Sequence, residues 1–319
     1  MTLVVGVDIG GSSVAAVAMD SQGQPQARSS VLAPIRSGKT AVAAASEAIS
    51  RLGLADPQLV GVGIPGQVDP ARGEVAMAVN LGIGSQPFAL GPALETALGC
   101  PVTIENDVRA AAMGAYDSLA WSGSPPASLV ILSIGTGIAA GAVVEGSLVR
   151  GAQGMAGEIG HLVIEENGPL CRCGQRGCLE AVAAGPAIAR AWPGGDAHAA
   201  NSLFSALAEG DQAAIKVANR ITSHLTTALT WLAAAYDPER IIIGGGVAAA
   251  GEPLLVSLRA EIGRRAAISE LAARRLRPEQ VDLARTDDPP GPRGAAVLAA
   301  QRFHAWREVP VQRHASNPT

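Results

Sequence analysis

Apolar residues along this chain follow two rhythms. Short continuous runs of four to seven residues alternate with longer, Ala-rich stretches whose apolar positions recur at helical spacing. That alternation predicts an α/β protein. Val4–Asp8 reads as a buried strand ending in the glycine turn Gly10-Gly11-Ser12, with a second strand, Val14–Met19, at hairpin distance. Thr40–Leu52 reads as a helix, Leu59–Ile64 as a strand, and Pro92–Leu98 as a short helix with Pro near its start. Val102–Glu105 is a further strand, running into a helix over Asp107–Tyr116 that Asp107 is placed to cap. The Ser/Gly/Pro segment Trp121–Pro126 reads as a connection between domains. Beyond it, Ala213–Ala235 forms one long helix, and the strand Arg240–Ile243 enters Gly244-Gly245-Gly246. Gly294–Trp306 reads as a last helix, with Glu308–Thr319 a frayed tail.

The opening pattern occurs twice. Val5-Gly6-Val7-Asp8-Ile9-Gly10-Gly11-Ser12 and its following strand return as Val130-Ile131-Leu132-Ser133-Ile134-Gly135-Thr136-Gly137 and the strand from Ile138, at an offset of 125. Two glycine hairpins can resemble each other by chance. Aligned flanking strands at half-chain spacing make duplication the better explanation.

Composition narrows the function classes. Formal net charge is −4, and the basic residues, all Arg except Lys39 and Lys216, are scattered, which argues against blanket attraction to nucleic acid or an anionic membrane. The N-terminus has no positive n-region, and no run reaches the ~18 to 20 apolar residues of a membrane span. Three of the four cysteines cluster, as expected of a metal site in a reducing cytoplasm rather than a disulfide scaffold.

That cluster is the densest chemistry in the chain. Gly157-Glu158-Ile159-Gly160-His161 is followed, nine residues on, by Cys171-Arg172-Cys173-Gly174-Gln175-Arg176-Gly177-Cys178-Leu179-Glu180. His161, Cys171, Cys173 and Cys178 make a four-ligand N/S set suited to tetrahedral Zn²⁺, and Glu158 and Glu180 flank it. The turns at Asp8, Gly10, Gly11 and Ser12 and at Gly135, Thr136 and Gly137 let backbone amides approach phosphate oxygens without Cβ obstruction. Asp8 is acidic, so Mg²⁺ or its water is expected between it and phosphate. Glu105-Asn106-Asp107 stands at a strand end opening a helix, where Asn and Asp can hold sugar hydroxyls and a carboxylate can accept a proton. Gly244, Gly245 and Gly246 offer the close backbone approach that a purine needs. His198 and His224 show no partners in the sequence and read as ordinary.

Two motifs are discounted. Gly61-Val62-Gly63-Ile64-Pro65-Gly66 fits G-x-G-x-x-G, but Pro65 and the following Gln67-Val68-Asp69-Pro70 cannot open the helix a dinucleotide site requires. It reads as a substrate-side turn. Ala33–Thr40 matches a P-loop only loosely and lacks its first glycine, so a loop and helix cap is the simpler reading.

Together, Asp8-Ile9-Gly10-Gly11, Gly63-Ile64-Pro65-Gly66, Glu105-Asn106-Asp107, Ile134-Gly135-Thr136-Gly137, Gly157–His161, the Cys171–Glu180 loop and Ile243–Gly246 resemble, in order, the ROK family of bacterial sugar kinases and repressors. The similarity covers roughly residues 3 to 300. It implies an actin-like (ribonuclease H-like) duplicated fold of two α/β domains with the active site in the cleft between them. The expected domains are 1–120 with 292–312, and 121–291 carrying the zinc loop.

The resemblance further implies ATP-dependent phosphorylation, with Mg²⁺, of the 6-hydroxyl of a hexose, most simply glucose, by a cytoplasmic homodimer or homotetramer. Asp107 would be the general base. Gly66, Asn80, Asn106, Glu158, His161 and Glu180 would hold the sugar, and His161, Cys171, Cys173 and Cys178 a structural zinc. The chain departs from the family pattern in three places. Ser12-Ser13 replaces the usual Thr-Lys, the Trp expected after Asn80-Leu81 is absent, and Arg109 is bulkier than expected. These departures leave open the choice of N-acetylmannosamine, N-acetylglucosamine or fructose, polyphosphate as donor, and a weakened sugar sensor. A DNA-binding repressor would need a helix-turn-helix module before the first strand, and the strand begins by residue 3.

Overall fold

The computed structural model describes residues 3–54, 57–121, 123, 125–193 and 198–304. The expected tail Glu308–Thr319 and Trp306 lie outside them, as does part of the Trp121–Pro126 connection. The chain forms two compact units: Met1–Pro126 with Glu145–Ala156 and Arg285–Thr319, and Ala127–Val144 with Gly157–Ala284.

In the first unit, β1 (Val4–Ile9), β2 (Ser13–Met19) and β3 (Pro25–Leu32) form an antiparallel meander. Helix α1 (Gly38–Ser50) then crosses to β4 (Leu59–Ile64), parallel to β1. The short hairpin β5 (Gln67–Asp69) and β6 (Glu74–Ala76) and helix α2 (Leu90–Leu98) lead to β7 (Val102–Asn106), parallel to β4. The sheet order is β3-β2-β1-β4-β7, and β7 opens directly into α3 (Asp107–Trp121).

The second sheet repeats this plan. Strands β8 (Ser128–Ile134), β9 (Ile138–Val144) and β10 (Ser147–Leu148) form the meander. Helices α4 (Leu179–Ala183), α5 (Gly185–Ala191), α6 (Ala199–Ala208) and α7 (Gln212–Tyr236) precede β11 (Arg240–Gly244), which lies parallel to β8. Helices α8 (Glu252–Ala266) and α9 (Glu270–Arg275) lead to β12 (Val281–Leu283), parallel to β11. The order β10-β9-β8-β11-β12 is that of the first sheet, element for element. The 125-residue offset read from the two glycine turns is therefore a duplication of a whole sheet. This is the actin-like fold.

Helix α10 (Pro290–Arg302) returns to the first unit and packs on β1, β4 and α3. It starts four residues earlier than the sequence pattern predicts, because Pro290 and Pro292 fall in the first turn, where a missing N–H costs nothing. Its contact is close: a Cβ at Gly61 would lie 1.8 Å from the Ala295 carbonyl oxygen, so β4 has to present glycine there. Inside the same contact Arg293, 5% exposed, bonds Asp117 of α3 through Nε at 2.8 Å and Asp288 through Nη1 at 3.0 Å. Both discounted motifs fold as expected. Gly66 leads into the β5–β6 hairpin, and Ser37 caps α1 in a reciprocal capping box with Thr40.

Candidate active site and metal centre

Sheet topology decides which residues meet in the first unit. β1 and β4 are parallel neighbours, with Asp8 paired to Gly63, and β4 and β7 pair Gly63 with Glu105. The C-terminal ends of three parallel strands therefore carry Asp8, Gly63-Ile64-Pro65-Gly66 and Glu105-Asn106-Asp107 side by side, where open α/β sheets bind ligands. The space left by Gly63's absent side chain is bordered by Asp8 Oδ1 at 3.5 Å and the Asp107 Cα at 3.4 Å. Burial, reinforced by the charge of Asp107, pushes the Asp8 carboxyl up to about 7. A cation beside Asp8 would favour its charged form, and carboxylate oxygens suit Mg²⁺.

The turn into α3 is capped by Asn106, not by Asp107 as the sequence pattern predicts. Asn106 Oδ1 accepts the amides of Val108 (3.1 Å) and Arg109 (3.2 Å), and its Nδ2 donates to the Gly66 carbonyl at 3.2 Å. Both lone pairs of Oδ1 are occupied, which leaves one amide hydrogen of Asn106 for a ligand. Asp107 is the first residue of the helix, half-buried, in the positive field of the helix N-terminus. Gly66 has φ +106°, and a Cβ would lie 2.6 Å from the Ala76 carbonyl, so its glycine is required by the backbone. Asn80 lies in a 3-10 turn, Val79–Leu81, and Gly10 closes the first hairpin through its amide to the Ser13 carbonyl at 2.8 Å. Gly11 and Ser12 at the tip are exposed.

In the second unit the three glycine-rich segments converge. The Gly135 amide donates to the Gly137 carbonyl and its own carbonyl accepts the Gly185 amide, both at 2.9 Å. A Cβ at Gly135 would stand 3.9 Å from the Gly246 amide nitrogen. Gly244 pairs with Ser133 as Gly63 pairs with Asp8, so the duplicated frame carries an acid in one unit and a hydroxyl in the other.

The metal candidates also assemble. One donor atom each from His161, Cys171, Cys173 and Cys178 lies within 4.8 Å of every other. Cys171 Sγ is 3.6 Å from His161 Nδ1, and Cys173 Sγ is 3.6 Å from Cys178 Sγ. A tetrahedron with ordinary Zn–S and Zn–N bonds has edges of roughly 3.8 Å between sulfurs and roughly 3.6 Å between sulfur and nitrogen. The four residues therefore fit zinc in kind, number and spacing. Hydrogen bonding from Gln175 draws the Cys173 thiol down to about 6, while burial and its neighbours push Cys178 up to about 12.

Local folding explains why those side chains meet. His161 ends a short 3-10 turn begun two residues after Gly157, and Cys171 and Gln175 close a tight turn through the Cys171 amide (2.8 Å). Cys178 is the residue from which α4 starts, placing Glu180 in that helix's first turn. Glu180 Oε2 accepts the Ile138 amide at 3.2 Å and would be 2.5 Å from a Cβ on Gly137. The metal loop and the second glycine turn are therefore one contiguous structure, with Gly137 the residue that allows the carboxylate in. The loop is also tied to α7. Arg220 Nη2 bonds Glu165 Oε1 at 2.8 Å, and His224 Nε2 lies 2.9 Å from the same oxygen without hydrogen-bond geometry, beside an acidic neighbour that its sequence context hides.

One pair of residues was invisible in the sequence as a functional feature. Arg109 is 2% exposed and donates through Nε to Glu105 Oε1 at 2.8 Å, while Glu105 Oε2 accepts Arg150 Nε at 2.6 Å. A buried Glu four residues before a buried Arg, across a strand-to-helix turn, is the one local signal.

The profile of the ROK family matches residues 4–302. The chain belongs to the ROK family. A glucokinase of Halalkalibacterium halodurans is 37% identical over 219 residues, 63% of this chain and 64% of that protein, so the match spans just under two thirds of the relative. An N-acetylmannosamine kinase of Citrobacter koseri is 30% identical over 83% of this chain and 90% of its own. Among solved structures, a ROK family glucokinase from Streptomyces griseus, in complex with glucose and AMPPNP, superposes with a TM-score of 0.77 at 30% identity, covering 94% of this chain and 99% of that one. Among the described residues of this ROK protein, no helix is long and apolar enough to cross a membrane.

Proposed function

We propose that this chain is an ATP-dependent sugar kinase that phosphorylates the 6-hydroxyl of a hexose, with glucose the preferred acceptor and Asp107 the general base. The observation that carries this reading is the placement of Asp107 at the head of α3, beside Asp8 and the Gly63–Gly66 turn at one set of strand ends. The S. griseus glucokinase, solved with glucose and AMPPNP, supports the same assignment through the shared fold. Phosphoryl transfer demands in-line positioning and charge stabilisation more than covalent chemistry from the protein.

The 6-hydroxyl oxygen bonds to the γ-phosphorus, the bond from that phosphorus to the β-phosphate bridging oxygen breaks, and ADP leaves. The hydroxyl proton passes to the Asp107 carboxylate, which the helix N-terminus keeps ready to accept it. Asn80, Asn106, Gly66, Glu158, His161 and Glu180 hold the remaining hydroxyls. The single free amide hydrogen of Asn106 makes it a donor there. Asp8, Gly10, Gly11 and Ser12, with Gly135, Thr136 and Gly137, line the phosphates, and Gly244, Gly245 and Gly246 the base. Mg²⁺ bound with the nucleotide would supply charge neutralisation at its phosphate oxygens. His161, Cys171, Cys173 and Cys178 would hold a structural zinc, which would fix the loop that carries Glu158 and Glu180 a few residues from those ligands. One ring nitrogen of His161 faces Cys171, which leaves the other for the sugar.

The C. koseri relative favours one second reading, N-acetylmannosamine as acceptor. A coupled assay of ADP release across glucose, N-acetylmannosamine, N-acetylglucosamine and fructose, with ATP and polyphosphate as donors, tests both. A glucose kcat/KM at least tenfold above the others is expected. A higher value for an N-acetylated sugar overturns the choice of glucose. We place the enzyme in the cytoplasm, as a homodimer or homotetramer.

A further inference from the structure

Arg109 departs from the family pattern, and its surroundings give it a task. Glu105 is the penultimate residue of β7, is 3% exposed, and serves three donors: Arg109 Nε (2.8 Å) and the Asn106 amide (2.9 Å) on Oε1, and Arg150 Nε (2.6 Å) on Oε2. Arg109 reaches past Glu105 and donates through Nη1 to the Gly154 carbonyl at 2.6 Å. Arg150 and Gly154 belong to Glu145–Ala156, the part of the first unit that contains β10, and both follow that strand. The stretch folds back on itself, the Ala156 amide donating to the Arg150 carbonyl at 3.2 Å. It is therefore held at two points, a side chain and a main-chain carbonyl, to the turn that carries Asn106 and Asp107. From Ala156 the chain runs directly into Gly157 and Glu158.

We infer that Arg109 is a positioning residue: its guanidinium couples the Asn106–Asp107 turn to the 150–156 loop and so fixes the point from which the chain enters the sugar-binding Glu158. Three features support a coupling role over simple packing. A guanidinium in the first turn of a helix opposes the helix dipole, so the residue is not there for the helix. Burying the Arg109 guanidinium beside a carboxylate that already accepts the exposed Arg150 leaves a net positive charge, and Arg109 Nη2 has no hydrogen-bond partner, a cost that an apolar residue would avoid. The fork geometry is used, since Nε and Nη1 bond groups from two different segments, which a lysine ammonium on a flexible stem does not reproduce.

This inference rests on the sugar-kinase reading above, and its test separates the two. Hexose-dependent ADP release by the unaltered chain tests the kinase reading. Amide exchange over residues 150–156 tests the tether, and reads out whether or not any hexose is turned over. In Arg109→Gln, exchange of the Ala156 amide should quicken at least tenfold, while the amides of β1 and β4 keep their protection. The hexose KM should rise about tenfold with the ATP KM unchanged within twofold, and Arg109→Lys should recover less than half of the loss. Unchanged exchange over 150–156 overturns the tether. Hexose and ATP KM rising together, or activity falling only in proportion to the folded fraction, overturns the positioning role. So does full recovery by lysine. Should Arg109→Gln fail to fold, Arg150→Gln, which cuts only the exposed arm of the same cluster, should show the same KM split at smaller size, and an unchanged hexose KM there counts equally against it.

Discussion

Replacing Asp8 with Asn should make the protein more stable and less active, and the gain should depend on pH in one direction. Burial, then the charge of Asp107, holds the Asp8 carboxyl at about 7, against 3.8 for the free group. In the unfolded chain that carboxyl loses its proton near pH 4, whereas the folded protein keeps it until near 7. Folding therefore becomes less favourable as pH rises between those values, and the whole penalty is present above 7. At about 1.4 kcal/mol per pKa unit, a shift of about three units sets a ceiling of roughly 4 kcal/mol, and relaxation and water penetration reduce it to about 2 kcal/mol. Asn has nearly the same shape and carries no charge, so Asp8→Asn escapes the penalty. Urea unfolding at pH 4.5 and pH 8, without nucleotide or Mg²⁺, measures it. The variant should gain at most about 1 kcal/mol at pH 4.5 and about 2 kcal/mol at pH 8. An equal gain at both pH values, or a loss at pH 8, would refute the reasoning. Under the proposed function the same variant loses turnover, a trade of stability against activity that functional sites commonly show.

Other perturbations follow from the packing. Cys171→Ser should lower bound zinc from about one ion per chain to a small fraction by elemental analysis, with a fall of several degrees in melting temperature. Freshly purified wild-type protein without zinc would contradict this. Arg293→Met leaves Asp117 buried against an apolar side chain and should cost about 3–5 kcal/mol, and adding Asp117→Asn should restore part of it. A loss below 1 kcal/mol on urea titration would show that the ion pair is not what holds α10 to α3.

Most of the frame was legible because the sequence repeats it. The two glycine turns, with their flanking apolar runs, mark β1–β2 and β8–β9, and the strands at Leu59, Val102 and Arg240 announce themselves as short apolar runs. Strand β3 was not legible. It is an edge strand that starts at Pro25 and alternates polar with small residues, so it lacks the apolar run that signals a central strand. Strand β12 is three residues long and includes Asp282, too short for any periodicity.

The zinc set could be read by spacing alone, because the ligands lie within eighteen residues and the fold only has to close a loop. The cap of α3 could not. Asn106 and Asp107 are adjacent and both favoured at that position, and only the backbone decides which faces the helix amides. Likewise Glu180 reads as a sugar ligand, yet its contact with the Ile138 amide depends on the Gly137 turn 43 positions away. Arg109 reads from the sequence only as bulky, since nothing local reports that its guanidinium reaches a carbonyl 45 residues downstream.

The most direct test is hexose-dependent release of ADP by the purified chain with Mg²⁺-ATP, compared with Asp107→Ala. Placing the general base at Asp107 predicts turnover by the wild type and a loss of about 10³-fold in kcat in the variant, with the variant still folded and still binding zinc. Turnover that survives Asp107→Ala within tenfold would contradict it.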